Sequence, residues 1–419
     1  MNFIKKLTGN AYSFSVITKI ISVATGLIYT VLYSRYLGAE LRGVASVINN
    51  FSEIIMMVMC LGIYQAYPFF KKTLKGNRYN EFINNVSSLF LIYSLIAAAF
   101  IIIAKPTANI CVVTVCVPLM VGTRQFNYLV MIENPKVMNI THVIVELFDI
   151  AFLSVLMIFT EANYFFCILF LITRTAFSFL LALRNIRVPL HRIRPTFKGI
   201  WKYIKYGFVP MLTLILMEIN YKMDIIMLER MDITKAEIGV YSLGVMLAQK
   251  LWMIPDALKD ILTGKLAKGR TSDEVCKITR ISLWITAGCI IGMAIFGRML
   301  INLIFGSEYA GAYQVFLNIS LGVLGMVFYK MIYAYNVVNG HKNINFVMLF
   351  ASAVINVILN YFFIQKMSIN GAALASTISY SVCGLSFLIY FIKDTKQSPA
   401  KILLIQKEDI LQFRNLLRK

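Results

Sequence analysis

Residues Met217 to Leu228 read MEINYKMDIIML and end an apolar run that begins near Tyr203. A charge at the centre of a bilayer costs about 2.5–3.5 kcal/mol even on lenient scales, so such residues face a bundle interior or a wet cavity. Glu218 and Lys222 are four apart and share one face of a helix, where they can pair. Asp224 lies two residues on, about 200° round from Lys222. One pair alone would neutralise itself. Three charges on one short span predict a helix that borders a polar cavity inside a membrane, the arrangement of a transporter.

The rest of the chain agrees with a membrane setting. Of its 419 residues 59% are hydrophobic and only 15% charged, and the mean hydropathy is +0.72. Soluble domains carry about 25% charged residues. Apolar stretches of about 20 residues, each long enough to cross the hydrocarbon core, recur along the whole length. The net charge of +21 is then read as basic loops held on the cytoplasmic side. No recognition helix or zinc spacing accompanies the basic patches, so nucleic acid is not an expected partner. The seven cysteines form no metal pattern and read as inert thiols. The first apolar run reads as retained, with no cleavable signal peptide.

Twelve spans are expected, at about 11–34, 44–67, 85–104, 108–130, 138–160, 162–183, 203–228, 237–258, 281–304, 314–338, 344–364 and 371–392. Pro68 is expected to stop the second, and Pro118 to kink the fourth. The odd-numbered turns hold only Arg35, Arg42, Lys105, Arg230, Lys235, Arg298 and Lys366. The N-terminus, the even-numbered turns and the tail carry most of the remaining Lys and Arg. That asymmetry places both ends in the cytoplasm. The apolar residues of the tail, among them Ile402, Leu403, Ile410 and Leu416, fit an interfacial amphipathic helix or a disordered tail.

An internal repeat is visible. LGAELRGVAS follows the first span and DITKAEIGVYS the seventh, each with a glutamate and then a glycine, Gly43 or Gly239, opening the next helix. Two six-helix halves with the same start predict parallel repeats. The expected fold is an all-α polytopic membrane protein, with twelve transmembrane helices in two six-helix lobes around a central cavity. Residues 1–183 form the N-terminal lobe, 184–202 a basic cytoplasmic linker, 203–392 the C-terminal lobe and 393–419 a basic cytoplasmic tail.

The charges inside spans are the candidate site. Lys19, Arg174, Lys222, Lys250 and Lys330 are the expected substrate-binding cations. Arg124, near the inner end of its span, is read as snorkelling. Glu53, Glu146, Asp149 and Asp224 are the candidate ion-coupling residues, for a proton or a sodium ion; no other cofactor and no metal site is expected. His142, Glu146 and Asp149 fall at i, i+4 and i+7, on one face of the fifth helix. The plainer reading of each charge is internal pairing that holds the bundle together. The functional reading is a cavity that takes an anion, with lysines as point charges and Arg174 as a directional fork for phosphate. Asn356 and Asn360 share a face and fit either an interhelical bond or a sugar contact.

No Walker loop, HExxH or GxSxG occurs. The longest loops are about twenty residues, shorter than a membrane enzyme's catalytic domain. Both features point to moving a substrate rather than altering it, so no enzymatic activity is expected.

Four blocks carry a resemblance: RYLGAELRGVASVINNFSEI (Arg35 to Ile54), YKMDIIML with EIGVYSLGVMLAQKLWMIPDAL (Tyr221 to Leu258), LIFGSEYAGA (Leu303 to Ala312) and NVILNYFFIQKMSINGAALASTISY (Asn356 to Tyr380). In their order and spacing they resemble bacterial polysaccharide-repeat flippases of the O-antigen type. These form the polysaccharide transporter family of the multidrug, oligosaccharidyl-lipid and polysaccharide exporter superfamily. The resemblance implies a flippase for undecaprenyl-diphosphate-linked oligosaccharide in the bacterial inner membrane, releasing O-antigen units on the periplasmic side by alternating access. Capsule, enterobacterial common antigen and teichuronic-type units are alternatives, as is a cation-coupled multidrug exporter of the same superfamily. The implied partners are the lipid-linked oligosaccharide, the bilayer, and the polymerase and chain-length regulator of the pathway.

Overall fold

The computed structural model describes residues 11–73, 78–186, 188–266, 272–406 and 408–409. Among them the regular structure is helical, without strands. Eight helices are long and apolar enough to cross a membrane, or nine when a bent pair is joined. Two of the long helices are interrupted. Ala11–Met59 divides at Gly38 (φ 68°), into α1 (11–37) and α2 (39–59). Lys342–Thr395 divides at Ser368 (φ 50°), into α13 (342–367) and α14 (369–395). Ile200–Arg230, here α8, has the length to span but carries Glu218, Lys222 and Asp224 in its interior. The other spans are α4 (Arg78–Ala104), α5 (Ala108–Glu133), α6 (Pro135–Phe159), α7 (Tyr164–Asn185), α11 (Ser272–Phe305) and α12 (Ala312–Val338). With the two broken helices described next, the described residues hold twelve helices or bent helix pairs of spanning length. Large apolar side chains lie exposed on them, for example Leu95, Ile102, Ile103, Ile158 and Phe159. In a multi-pass protein such faces meet lipid rather than water.

Both broken spans are the second of their half. The second span does not stop at Pro68. It breaks at Cys60 to Gly62 and resumes as α3 (Ile63–Thr73), with Pro68 inside. The bend is 46°. Leu61 and Gly62 both have positive φ, which ends the regular helix before the proline is reached. The eighth span breaks between α9 (Lys235–Lys250) and α10 (Met253–Leu266). Pro255 then falls in the first turn of α10, where its missing N–H costs nothing. The turns entering these spans are also alike. Gly38 leads into α2; Asp232 (φ 59°) and the cap residue Thr234, whose Oγ accepts from the Glu237 N–H, lead into α9.

The chain folds as two compact units, Met1–Ile215 and Leu216–Lys419, and the division falls inside α8. The first half of α8 stays with the first unit because of a close approach. A Cβ on Gly207 would lie 2.0 Å from the Gly62 carbonyl oxygen. Leu214 and Ile215 pack on the cluster of Met56, Met57, Cys60 and Tyr64.

In the second unit the tail folds back on α11. Arg280, buried, donates from Nε and Nη2 to the two Asp409 oxygens at 2.5 and 2.8 Å, and from Nη1 to the Lys401 carbonyl. Trp284 Nε1 donates to the Leu403 carbonyl at 2.9 Å. A short helix, α15 (Pro399–Leu403), results; the expected amphipathic residues Ile410, Leu411 and Leu416 lie outside the described residues. The bonds from Arg280 hold the Asp409 carboxyl below its ordinary range. A group whose pKa is depressed on docking stabilises the docked tail above its free value, near 3.9, and loses that contribution as pH falls through the lower bound value. Ile402 is buried under the docked tail while Ile405 is exposed, so Asp409→Asn is expected to free the tail at neutral pH and raise thiol labelling of an Ile402→Cys probe, in an otherwise cysteine-free protein, about tenfold or more. With Asp409 in place the same probe should reach that labelling only in acid below about pH 4, read with a pyridyl disulfide, which reacts with thiols at low pH where thiolate-dependent reagents do not. Equal labelling of both at pH 7 would contradict the clamp.

Candidate functional site

The first unit contains a cavity of about 430 Å³. α2 supplies Asn49, Glu53 and Met56; α5 supplies Thr123, Arg124, Asn127 and Tyr128; α6 supplies His142; α7 supplies Arg174, Thr175 and Ser178. α2, α5 and α7 each contribute polar residues at i, i+3 or i+4 spacing, so each turns a polar stripe to the same space. Two guanidiniums, one carboxylate and several amides and hydroxyls meet there. Asn127 Oδ1 is buried and without a hydrogen-bond partner among the described residues, an acceptor left for a ligand or a water.

The stripe on α6 organises this end of the unit. His142 lines the cavity. Glu146, one turn on, accepts from Ser22 at 2.8 Å and from Thr25, both on α1. Asp149, fully buried, accepts from Arg174 Nε at 2.8 Å. Arg174 Cζ lies 5.1 Å from the ring centre of Tyr29 on α1. Of the expected ion-coupling residues, Glu53 thus lines the cavity, Glu146 ties α1 to α6, and Asp149 is paired with the expected cation.

The other expected residues fall in the second unit, except Lys19, whose side chain lies outside the described residues. Lys222 pairs with Glu218 at 2.8 Å, as the i, i+4 spacing allows. Lys330 binds both Asp256 oxygens, at 2.8 and 2.9 Å, and lies 5.0 Å from the ring centre of Trp252 at the break between α9 and α10. Lys250 is the last residue of α9, half-buried.

Asp224 is at the centre of a buried polar network. Its Oδ1 accepts from Asn360 at 2.8 Å; its Oδ2 accepts from Tyr241 at 2.6 Å and Ser376 at 2.5 Å. Asn360 also donates to Asn356 at 3.1 Å, and Asn356 in turn donates to Ser379 at 3.2 Å. Four spans, α8, α9, α13 and α14, converge on one carboxylate that is 2% exposed. Asn360 Oδ1 is buried without a partner among the described residues. Three donors compensate this buried carboxylate, and a proton is the ion that such a site could take up without displacing them.

No family model matches the chain. An uncharacterized membrane protein of Methanocaldococcus jannaschii is 31% identical over 127 residues, which are 30% of this chain and 24% of that protein. The alignment thus spans only a minor part of that relative. Among solved structures, the lipid II flippase MurJ, in an inward closed conformation, superposes with a TM-score of 0.72 at 17% identity, over 93% of this chain and 88% of its own. A multidrug resistance MATE transporter in an inward-facing conformation gives 0.67 at 13% identity, over 91% and 98%. The chain has the MurJ and MATE transporter fold. A transporter of the MOP superfamily from Pyrococcus furiosus, described as having a binding pocket of reverse polarity, gives 0.60 at 13% identity, over 94% and 99%. At these identities the likeness is one of fold, and the chemistry has to be read from this chain's own residues.

Sequence reasoning passed over Arg124 as a snorkelling residue, and it lines the cavity. The signal was present: Arg124, Asn127 and Tyr128 form a polar stripe one turn long in an apolar helix. Asp256 reads from the sequence as an acidic residue inside the eighth span, but its pairing with Lys330, 74 residues away, leaves no mark there.

Proposed function

We propose that this protein flips undecaprenyl-diphosphate-linked oligosaccharide repeat units, O-antigen units first among them, from the cytoplasmic to the periplasmic leaflet by alternating access. The observation that carries this reading is the first-unit cavity, where Arg174 and Arg124 stand among amide and hydroxyl groups. Guanidinium groups suit phosphate oxygens, which they grip in pairs. Amides and hydroxyls suit sugar hydroxyls. The likeness in fold to a lipid II flippase supports a lipid-linked substrate. Capsule, enterobacterial common antigen and teichuronic-type units share the same diphosphate chemistry.

The location proposed is the bacterial inner membrane with both termini cytoplasmic, supported by the distribution of Lys and Arg among the turns. The energy source proposed is a proton or sodium gradient acting at Asp224, supported by the burial of this carboxylate where four spans meet. The pathway's polymerase and chain-length regulator are the proposed protein partners. A second reading, a cation-coupled multidrug exporter, is favoured by one observation, the Glu53 carboxylate in the same cavity.

Complementation tests the choice. In cells lacking their own repeat-unit flippase, expression should restore surface polymer and leave susceptibility to cationic drugs unchanged. Drug resistance without polymer would replace the first reading by the second.

A further inference from the structure

Asp149 carries a cost that needs a reason. Its carboxylate is fully buried, and among the described residues Oδ2 accepts from Arg174 alone and Oδ1 has no partner. A buried carboxylate with one bond is poorly compensated. Its single bond, however, is placed on a particular edge of Arg174. Asp149 takes Nε, at 2.8 Å, and the Tyr29 ring covers the guanidinium from 5.1 Å. Tyr29 is itself fixed, stacked on Phe170 at 6.3 Å and packed on Tyr33 at 5.4 Å. Arg174 is 36% exposed while its partner is 1% exposed, and it lines the cavity. With Nε engaged and one face against the Tyr29 ring, the two Nη nitrogens are the donors that Arg174 has left to offer the cavity. Two parallel N–H donors match two phosphate oxygens, which a lysine ammonium cannot do.

We propose that Asp149 is a positioning residue: it holds Arg174 by Nε so that the Nη pair meets a diphosphate group in the cavity. The proposal rests on the flippase reading and assigns a different role to a residue that sequence alone offers as an ion carrier. The two roles separate chemically. A carrier needs a titrating carboxylate. A positioning residue needs only an acceptor oxygen at the same place, which asparagine supplies.

Two measurements on the full-length protein in nanodiscs test it, using Asp149→Asn, Asp149→Ala and Arg174→Lys. The first follows the Nε–H resonance of Arg174, identified by its absence in Arg174→Lys. Slow solvent exchange is expected in the wild type and in Asp149→Asn, and its loss in Asp149→Ala. The second measures binding of undecaprenyl diphosphate. Asp149→Asn should bind within about threefold of wild type, while Asp149→Ala and Arg174→Lys should each lose about thirtyfold, the worth of one charge-assisted hydrogen bond. Arg174 is open to the cavity, so Asp149→Ala leaves a hydrated cation, and a matched melting temperature confirms its folding. Slow exchange retained in Asp149→Ala, or equal losses of binding in Asp149→Asn and Asp149→Ala, would overturn the positioning role. A wild type that does not bind the lipid overturns the substrate reading instead, and the Nε–H signal alone then decides the role of Asp149.

Discussion

Asp224→Leu is expected to remove the protein from the membrane almost completely. Leucine matches the carboxylate in bulk but leaves the Asn360, Tyr241 and Ser376 donors buried without an acceptor. Each such orphan costs about 1–3 kcal/mol, so the three together are expected to cost about 5 kcal/mol, comparable with the whole stability of many domains. Asp224→Asn is the informative partner. It keeps one acceptor oxygen, so the loss of stability should be smaller, and the protein should be recoverable at reduced abundance. It cannot take up a proton, and it loses the charge that would hold a sodium ion. In proteoliposomes, transport of the lipid-linked repeat unit by the wild type should rise about tenfold on imposing the driving gradient, the effect of about 1.4 kcal/mol. The asparagine form should not respond. A full response in Asp224→Asn would remove Asp224 from the coupling and leave it a structural acceptor.

Gly207→Val is expected to have the second largest effect. A Cβ at this position would lie 2.0 Å from the Gly62 oxygen and 2.7 Å from its carbonyl carbon. Both are backbone atoms in the break between α2 and α3, so no side chain can rotate away. Gly62 cannot yield by changing residue either, because its φ is +67° and a Cβ there adds about 1–2 kcal/mol of strain. Overpacking commonly costs about 1–3 kcal/mol, and a valine against backbone belongs at or above the top of that range. The expected result is a fall of at least tenfold in folded protein, read by detergent gel filtration, with Gly207→Ala intermediate. Gly288, where an added Cβ meets nothing within 4 Å, is the control: Gly288→Ala should be neutral. Normal abundance of Gly207→Val would mean that the helices need not approach so closely.

These two sites differ in how far the sequence foretells them. Asp224 announces itself as a carboxylate inside an apolar run, and Asn356 and Asn360 announce themselves as a shared face. Their meeting with Tyr241 and Ser376 does not, since those partners come from other helices. Gly62 and Gly207 gave no warning, because a glycine in an apolar run looks the same whether or not another backbone lies against it.

The sequence by itself determined the helical, multi-pass class and the order of the spans. Hydrophobic length is a local property, and the bilayer's thickness makes twenty apolar residues mean the same thing wherever they occur. It also determined contacts within one helix, such as Glu218 with Lys222, because helical geometry fixes which residues share a face. Only the tertiary structure decided that Arg174 meets Asp149, that Lys330 meets Asp256, and that Arg124 lines a cavity. Each depends on the rotation and depth of one helix relative to another. The side chains of the neighbouring helices set those, and no periodicity along a single chain segment records them. The breaks at Cys60 to Gly62 and at Leu251 to Trp252 belong with these. Pro68 and Pro255 are visible signals, yet the helices end several residues earlier, where packing takes the chain out of helical geometry.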